Sequence, residues 1–204
     1  MRAVFLDYQS MKPEELDFER LAGATSEFIT HAATPPELVI ERIRGFDVVI
    51  LNKVKFERSH FEAAPDLKLI LVSATGTDNV DKQAAVDHGV VVCNVAAYGT
   101  SSVSQHTLML MLMIATQAER YRNDVKASRW SKSSMFCLMD YPIIDLEGRT
   151  LGIIGFGELG KAVGKLAEAF GMRVIVMGRD DIEYAKNSER VSFDRLLEQS
   201  DFVS

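Results

Sequence analysis

The sequence predicts an α/β protein of two successive units, each a doubly wound parallel sheet with helices on its faces. Three observations predict it. Near-continuous apolar runs of strand length recur with helical patterns between them, as expected of strands buried on both faces. Capping and stop residues fall where that alternation needs them. The order of strand, turn and helix then restarts at Thr150, after a long apolar helix.

Taken along the chain, RAVFLD at 2–7 is the first strand, and FDVVILN at 46–52 and LKLILVSA at 67–74 continue the sheet. A helix over 36–44 is closed by Gly45, and Asp81 is the expected N-cap of a helix over 82–88 closed by Gly89. VVVCNV at 90–95 returns to strand, so residues 1–98 make one sheet with its crossover helices. From Thr100 the pattern SSVSQHTLMLMLMIATQAERYR predicts a single helix over 100–122, apolar around most of its circumference. Such a helix is expected to be buried, which places it between the two units and in a dimer contact. The polar, Ser-rich stretch 126–134 reads as a surface arm. TLGIIG, a helix through 161–170 and RVIVMG then open the second sheet, and no repeat recurs at solenoid periods.

Composition narrows the function. The chain has 204 residues, 47% of them hydrophobic, and a formal net charge of -6, with no basic stripe to neutralise a phosphate backbone. Nucleic acid is therefore not the expected partner. The longest apolar run, 108–115, is far short of the ~20 residues that span a bilayer, and MRAVFLDYQ lacks the apolar core of a secretory signal. Cys93 and Cys137 stand without metal-ligand spacing. These features predict a cytoplasmic protein with reduced thiols, no membrane contact and no metal.

The turn Gly155-Phe156-Gly157-Glu158-Leu159-Gly160 carries the most specific chemistry. In a dinucleotide fold the first glycine permits the bend, the second lets the backbone approach the pyrophosphate, and the third lets the helix pack on the strand. The N–H groups of the turn and the positive end of the following helix then form an anion site without a basic side chain. Ala162, Gly164, Ala167 and Ala169 keep that helix close to the sheet. About 20 residues beyond such a turn, an NAD-selective site places a carboxylate on the ribose hydroxyls. Here the strand VIVM ends at Gly178 and Arg179, so a guanidinium stands where the acid is expected. That favours NADP, with NAD as the alternative through Asp180 or Asp181.

Four stretches, SATGTDNVD at 73–81, NVAAYGTSSVSQHTLMLML at 94–112, WSKSSMFCLMDYPIIDLEGRTLGIIGFGELG at 130–160 and AFGMRVIV at 169–176, occur in the order and spacing of a known family. The sequence resembles the D-isomer-specific 2-hydroxyacid dehydrogenases, and within them the glycerate dehydrogenase and hydroxypyruvate reductase branch. The resemblance implies a flavodoxin-like substrate domain at 1–98 and a hinge at Tyr98 and Gly99. It also implies a Rossmann NAD(P)-binding domain at 99–204, with the ligand in the cleft between. It implies that the N–H groups of Thr75 and Gly76 receive the substrate carboxylate, that Asn52 and Lys53 face the cleft, and that Thr107 lies at the cofactor. The substrate would be a small 2-oxo or 2-hydroxy acid, and the assembly a homodimer. His106 matches a domain-interface group of that family and not its acid. His31, His60 and His88 have exposed or helix-capping settings. The reaction needs an Arg to polarise the carbonyl and a His, tuned by a carboxylate, to exchange a proton. In the family these follow a strand matching DFVS, so no catalytic residue is expected within these residues. The chain reads as the N-terminal portion of a dehydrogenase, inactive alone. A dinucleotide-binding regulator or corepressor built on the same fold is the alternative.

Overall fold

A computed structural model of the chain describes residues 1–15, 17–178 and 189–204. Two compact units divide it, Met1–Tyr98 and Gly99–Ser204.

In the first unit the elements run β1 (Arg2–Phe5), α1 (Glu19–Gly23), β2 (Glu27–Thr30), α2 (Val39–Ile43), β3 (Val48–Leu51), α3 (Arg58–Ala63), β4 (Leu69–Val72), α4 (Lys82–Asp87) and β5 (Val91–Asn94). All strand pairs are parallel, in the order β2-β1-β3-β4-β5. This is the flavodoxin-like order, and it reverses direction between β1 and β3. Every residue of β3 is buried, which is why the VVIL run lacks polar alternation. One face packs Val4, Val49, Leu51, Ile70 and Val72 against Ile43, Phe61 and Ala84 from the helices. The other packs Phe5 and Ile50 against Phe18 and Phe28, but Val91 and Cys93 of the edge strand β5 stay exposed.

Local signals explain the helix ends. Asp81 accepts a hydrogen bond from the Ala84 N–H at 2.9 Å, and Gly45 and Gly89 take the positive φ of helix stops. The sequence pattern missed β2 and α3. Edge strand EFIT is only partly covered and so carries little apolar signal. Helix α3 starts from a capping box in which His60, not Glu or Gln, accepts the Glu57 N–H at 2.9 Å through Nδ1.

The second unit contains α5 (Thr100–Ala115), α6 (Ala118–Lys126), α7 (Arg129–Lys132), β6 (Thr150–Ile153), α8 (Glu158–Ala169), β7 (Arg173–Met177), β8 (Glu189–Val191), α9 (Phe193–Gln199) and β9 (Phe202–Val203). Its parallel sheet has the order β8-β7-β6-β9. Among the described residues no helix is long and apolar enough to cross a membrane.

One expectation is corrected here. The single helix over 100–122 is broken, because Gln117 adopts a left-handed φ of 53° between α5 and α6. The chain returning from the arm secures the break. Ile144 donates to the Ala115 carbonyl at 2.9 Å, and the Tyr121 hydroxyl donates to the Tyr141 carbonyl at 3.1 Å. Within its own unit α5 is covered on one side. Leu108, Met111, Leu112 and Ala115 form the stripe on the core with Val163 and Ala167 of α8. Met109, Leu110, Met113 and Ile114 are exposed, Ile114 at 64%. The expected arm contains the short helix α7, held by Arg129 between Asp124 at 2.8 Å and Asp140 at 3.3 Å.

Candidate functional site

Strand β6 delivers the chain into the glycine turn fully buried, and each glycine there meets a different constraint. Gly155 has a φ of +95°, which side-chain-bearing residues rarely adopt. A Cβ on Gly160 would overlap the Gly155 carbonyl oxygen and lie 3.3 Å from Ile153 Cγ2, so the helix packs here only without one. A Cβ on Gly157 would meet nothing within 4 Å, so the backbone is approachable from outside at this point. Gly157 is also the N-cap of α8 and supplies no capping side chain.

The first helical bond of α8 runs from the Lys161 N–H to the Gly157 carbonyl. Among the described residues the N–H groups of Phe156, Gly157, Glu158, Leu159 and Gly160 have no acceptor within the chain. This is a row of orphan donors at the positive end of a 12-residue helix, which suits a pyrophosphate. Glu158 is exposed and pairs with Lys161 at 3.7 Å, so its charge has a local partner. The residues present therefore fit a dinucleotide.

At the end of β7, Gly178 donates its N–H to the Val191 carbonyl at 2.8 Å, tying β8 to the strand end. Arg179, Asp180 and Asp181, on which the cofactor expectation turns, lie outside the described residues.

In the first unit, Thr75 and Gly76 form the exposed loop after β4. Thr75 is fixed from both sides: its hydroxyl donates to the Val95 carbonyl at 2.9 Å, and its carbonyl accepts from Asn94 Nδ2 at 2.7 Å. The Thr75 and Gly76 N–H groups have no acceptor within the chain among the described residues. Such a pair of fixed, unpaired donors can receive a carboxylate.

Asn52 and Lys53 divide in role. Asn52 is buried, its Nδ2 donates to Ser10 Oγ at 2.8 Å, and its carbonyl accepts from Asn79 at 3.3 Å. Its side chain is thus engaged in holding loops together. Lys53 is exposed at the rim of a cavity of about 860 Å³ at the carboxyl ends of β1 and β3, the reversal point of the sheet. The residue that sequence reasoning missed is Asp7, which is 6% exposed. Its carboxylate accepts the N–H groups of Asn52 at 2.8 Å, Lys53 at 2.6 Å and Val54 at 3.1 Å. The only local signal was an acid directly after an apolar strand.

Thr107 uses its hydroxyl within α5, donating to the Val103 carbonyl at 2.9 Å. His106 is exposed on α5. His60 serves in the α3 cap, and a ring nitrogen of His88 donates to the Ala84 carbonyl at 2.8 Å. Burial, and then the nearby Arg42 charge, hold His31 below the ordinary histidine pKa. Among the described residues no cluster of His, Cys, Asp or Glu could hold a metal ion.

The chain is similar to known proteins along its whole length. Residues 108–204 match the model of the D-isomer specific 2-hydroxyacid dehydrogenase, NAD binding domain. All of this chain is 38% identical to 62% of a glycerate dehydrogenase from Methylorubrum extorquens. All of it is likewise 36% identical to 65% of a hydroxypyruvate reductase from Blautia hydrogenotrophica. The chain thus spans less than two thirds of the length of these relatives. Among solved structures, an acyclic imino acid reductase in complex with NADPH and D-Arg superposes with a TM-score of 0.84. It does so over all of this chain and 64% of its own, at 21% identity, a likeness of fold.

Proposed function

We propose that the chain, whose residues 108–204 match the D-isomer specific 2-hydroxyacid dehydrogenase NAD binding domain, provides two anion sites of an NAD(P)-dependent reductase of small 2-oxo acids. Met1–Tyr98 acts as the substrate domain, with the Thr75 and Gly76 N–H groups taking the carboxylate of a hydroxypyruvate- or glyoxylate-like acid. Lys53 stands on a loop held rigid by Asp7 and lends positive charge to the same end of the sheet. Gly99–Ser204 acts as the cofactor domain. The nicotinamide supplies or accepts the hydride, and the orphan N–H groups from Phe156 to Gly160 hold the pyrophosphate. NADP is favoured, since β7 ends in Gly178 followed by Arg179 and not in a carboxylate. The exposed apolar face of α5, with Trp130, Phe136 and Met139 of the arm, pairs with a second copy of the chain. The relatives' names are those of enzymes, so the reductase reading is preferred to a dinucleotide-sensing regulator.

The single observation that carries the reading is the unpaired N–H row at an uncapped helix start beside a glycine that accepts no Cβ. Isothermal titration of the 204-residue chain with ADP-ribose and NADPH tests it. Micromolar to low-millimolar binding of both is expected, without reduction of hydroxypyruvate or glyoxylate by these residues alone. Failure to bind either ligand overturns the cofactor assignment. Turnover by the purified chain overturns the assignment of its chemistry to residues outside it.

A further inference from the structure

One side chain ties together the two loops that carry the anion donors of the first unit. Leu51 ends β3 and pairs in register with Val72 at the end of β4, so Lys53 and Thr75 each follow within three residues of neighbouring strand ends. Adjacent strands lie about 4.8 Å apart, so the two loops leave the sheet side by side. The Ser73 N–H donates to the Leu51 carbonyl at 2.8 Å, and there the ladder stops. Among the described residues the next backbone bonds between the two segments are those of Phe56, whose N–H donates to the Asn79 carbonyl at 2.7 Å and whose carbonyl accepts the Asp81 N–H at 2.9 Å.

Asn79 spans the gap between those points. Its Nδ2 donates to the Asn52 carbonyl at 3.3 Å and to the Val54 carbonyl at 3.0 Å, so the donor capacity of the amide is spent on the facing loop. Asp7 holds the opposite edge of the same segment. The Asn52 carbonyl and the Lys53 N–H belong to one planar trans peptide and point in opposite directions. Asn79 binds the first, and the Asp7 carboxylate accepts the second at 2.6 Å, so the Lys53 loop is gripped from two sides. Asn79 itself is firmly seated. The Val80 N–H closes a turn onto the Thr77 carbonyl at 3.1 Å, the Val80 side chain is buried, and Asp81 caps α4. Phe56 below it is fully buried and meets the Phe61 ring edge-on at 4.8 Å between centroids.

Thr75 and Gly76, whose N–H groups are unpaired among the described residues, directly precede this clamp. Lys53, which makes no ion pair among the described residues, stands on the loop that Asn79 holds. The geometry points to Asn79 as the positioning residue of the carboxylate site: it locks the Lys53 loop to the Thr75 and Gly76 loop, so that one ammonium and two N–H groups act as a single receptor for the carboxylate of a small 2-oxo acid. This rests on the substrate-domain reading above. Asn79 acts through its neighbours and not on the ligand. Loops ordered in advance spare the ligand the entropy of ordering them, so the tie raises affinity without a contact of its own.

The test compares the 204-residue chain with its Asn79→Ala, Asn79→Gln and Lys53→Met variants by heteronuclear NMR and thermal melting. Oxamate, a stable isostere of a 2-oxo acid, is the probe, titrated at constant ionic strength with chloride as the control anion. In the parent the Thr75 and Gly76 amide resonances should shift with oxamate and not with chloride. Expected for Asn79→Ala is an affinity for oxamate about tenfold weaker, with backbone order falling at Lys53, Thr75 and Gly76 together. Asn79→Gln keeps the amide donors on a longer stem and should recover part of the affinity. Lys53→Met should also weaken oxamate while leaving Thr75 and Gly76 as ordered as in the parent, which separates lost charge from lost positioning. Parent-like affinity in Asn79→Ala, or a lower melting temperature with oxamate binding intact, would assign Asn79 to structure alone and overturn the inference. So would loosening of one loop without the other. If the parent's Thr75 and Gly76 amides do not respond to oxamate, the carboxylate reading fails and this inference fails with it; if parent and Asn79→Ala respond equally, only this inference fails.

Discussion

Replacing Gly160 by Ala and Gly157 by Ala separates the fold from the ligand site within one turn. At Gly160 the added methyl would overlap the Gly155 carbonyl oxygen and lie 3.2 Å from its carbon and 3.3 Å from Ile153 Cγ2. The oxygen would have to retreat by about 1 Å to reach ordinary contact, and a close-packed interior resists this. The neighbour is backbone in a turn already held at a φ of +95°, so no flexible side chain can give way. Overpacking of this kind costs about 1–3 kcal/mol, and the backbone clash puts Gly160→Ala near the upper end. For a unit of this size that lowers the melting temperature of the second unit by roughly 10 °C or more. Moving the Gly155 carbonyl also misaims the orphan N–H groups, so affinity for ADP-ribose should fall by about tenfold or more. At Gly157 the added methyl meets nothing, and its φ of -81° suits any residue. Gly157→Ala should leave melting within about 2 °C of the parent while obstructing ligand approach and weakening ADP-ribose binding. Calorimetric melting and titration of the three proteins give both readouts. A Gly160→Ala chain that melts and binds like the parent would refute the close helix approach. A Gly157→Ala chain with full affinity would refute the ligand's path over that glycine.

Asp7→Ala removes the acceptor of three loop N–H groups and should destabilise the first unit by about 2–4 kcal/mol, with Asp7→Asn losing less because its amide oxygen still accepts; urea unfolding measures it, and a change below about 0.5 kcal/mol would count against the network. Asp201 is held below the usual carboxylate range by the Thr150 N–H at 2.8 Å, against some burial and with help from Arg149. A depressed carboxylate adds stability that is present above the unfolded pKa of about 3.9 and lost as pH falls through the lower folded value. The stability gap between the parent and Asp201→Asn should therefore be full at neutral pH and close below about pH 4, and a gap that does not change with pH would show that charge is not its source. The exposed apolar faces of α5 and the arm predict a dimer in sedimentation equilibrium, and a monomer at micromolar concentration would remove that surface from the assembly.

What could be read from the sequence was what neighbours along the chain decide. Buried strands such as VVIL declare themselves by unbroken apolar runs, and Asp81, Gly45 and Gly89 mark helix ends through bonds and φ values within a few residues. The glycine turn was legible for the same reason, because its three constraints lie within one strand, turn and helix. Long-range partners settled the rest. Gln117 breaks the apolar helix where Ile144 and Tyr141 return to it, more than 20 residues later. Asp7 fixes the Lys53 loop across 46 positions of sequence. Gly152 looks like one more small residue in TLGII, yet a Cβ there would lie 2.7 Å from Leu196 of α9. Arg190 reaches the glycine turn only because parallel pairing sets β8 beside β7. Local pattern determines which elements form, since propensity and capping act over one turn or one strand. Which side chains those elements bring together depends on register and crossover, and these exist only once the sheet has formed.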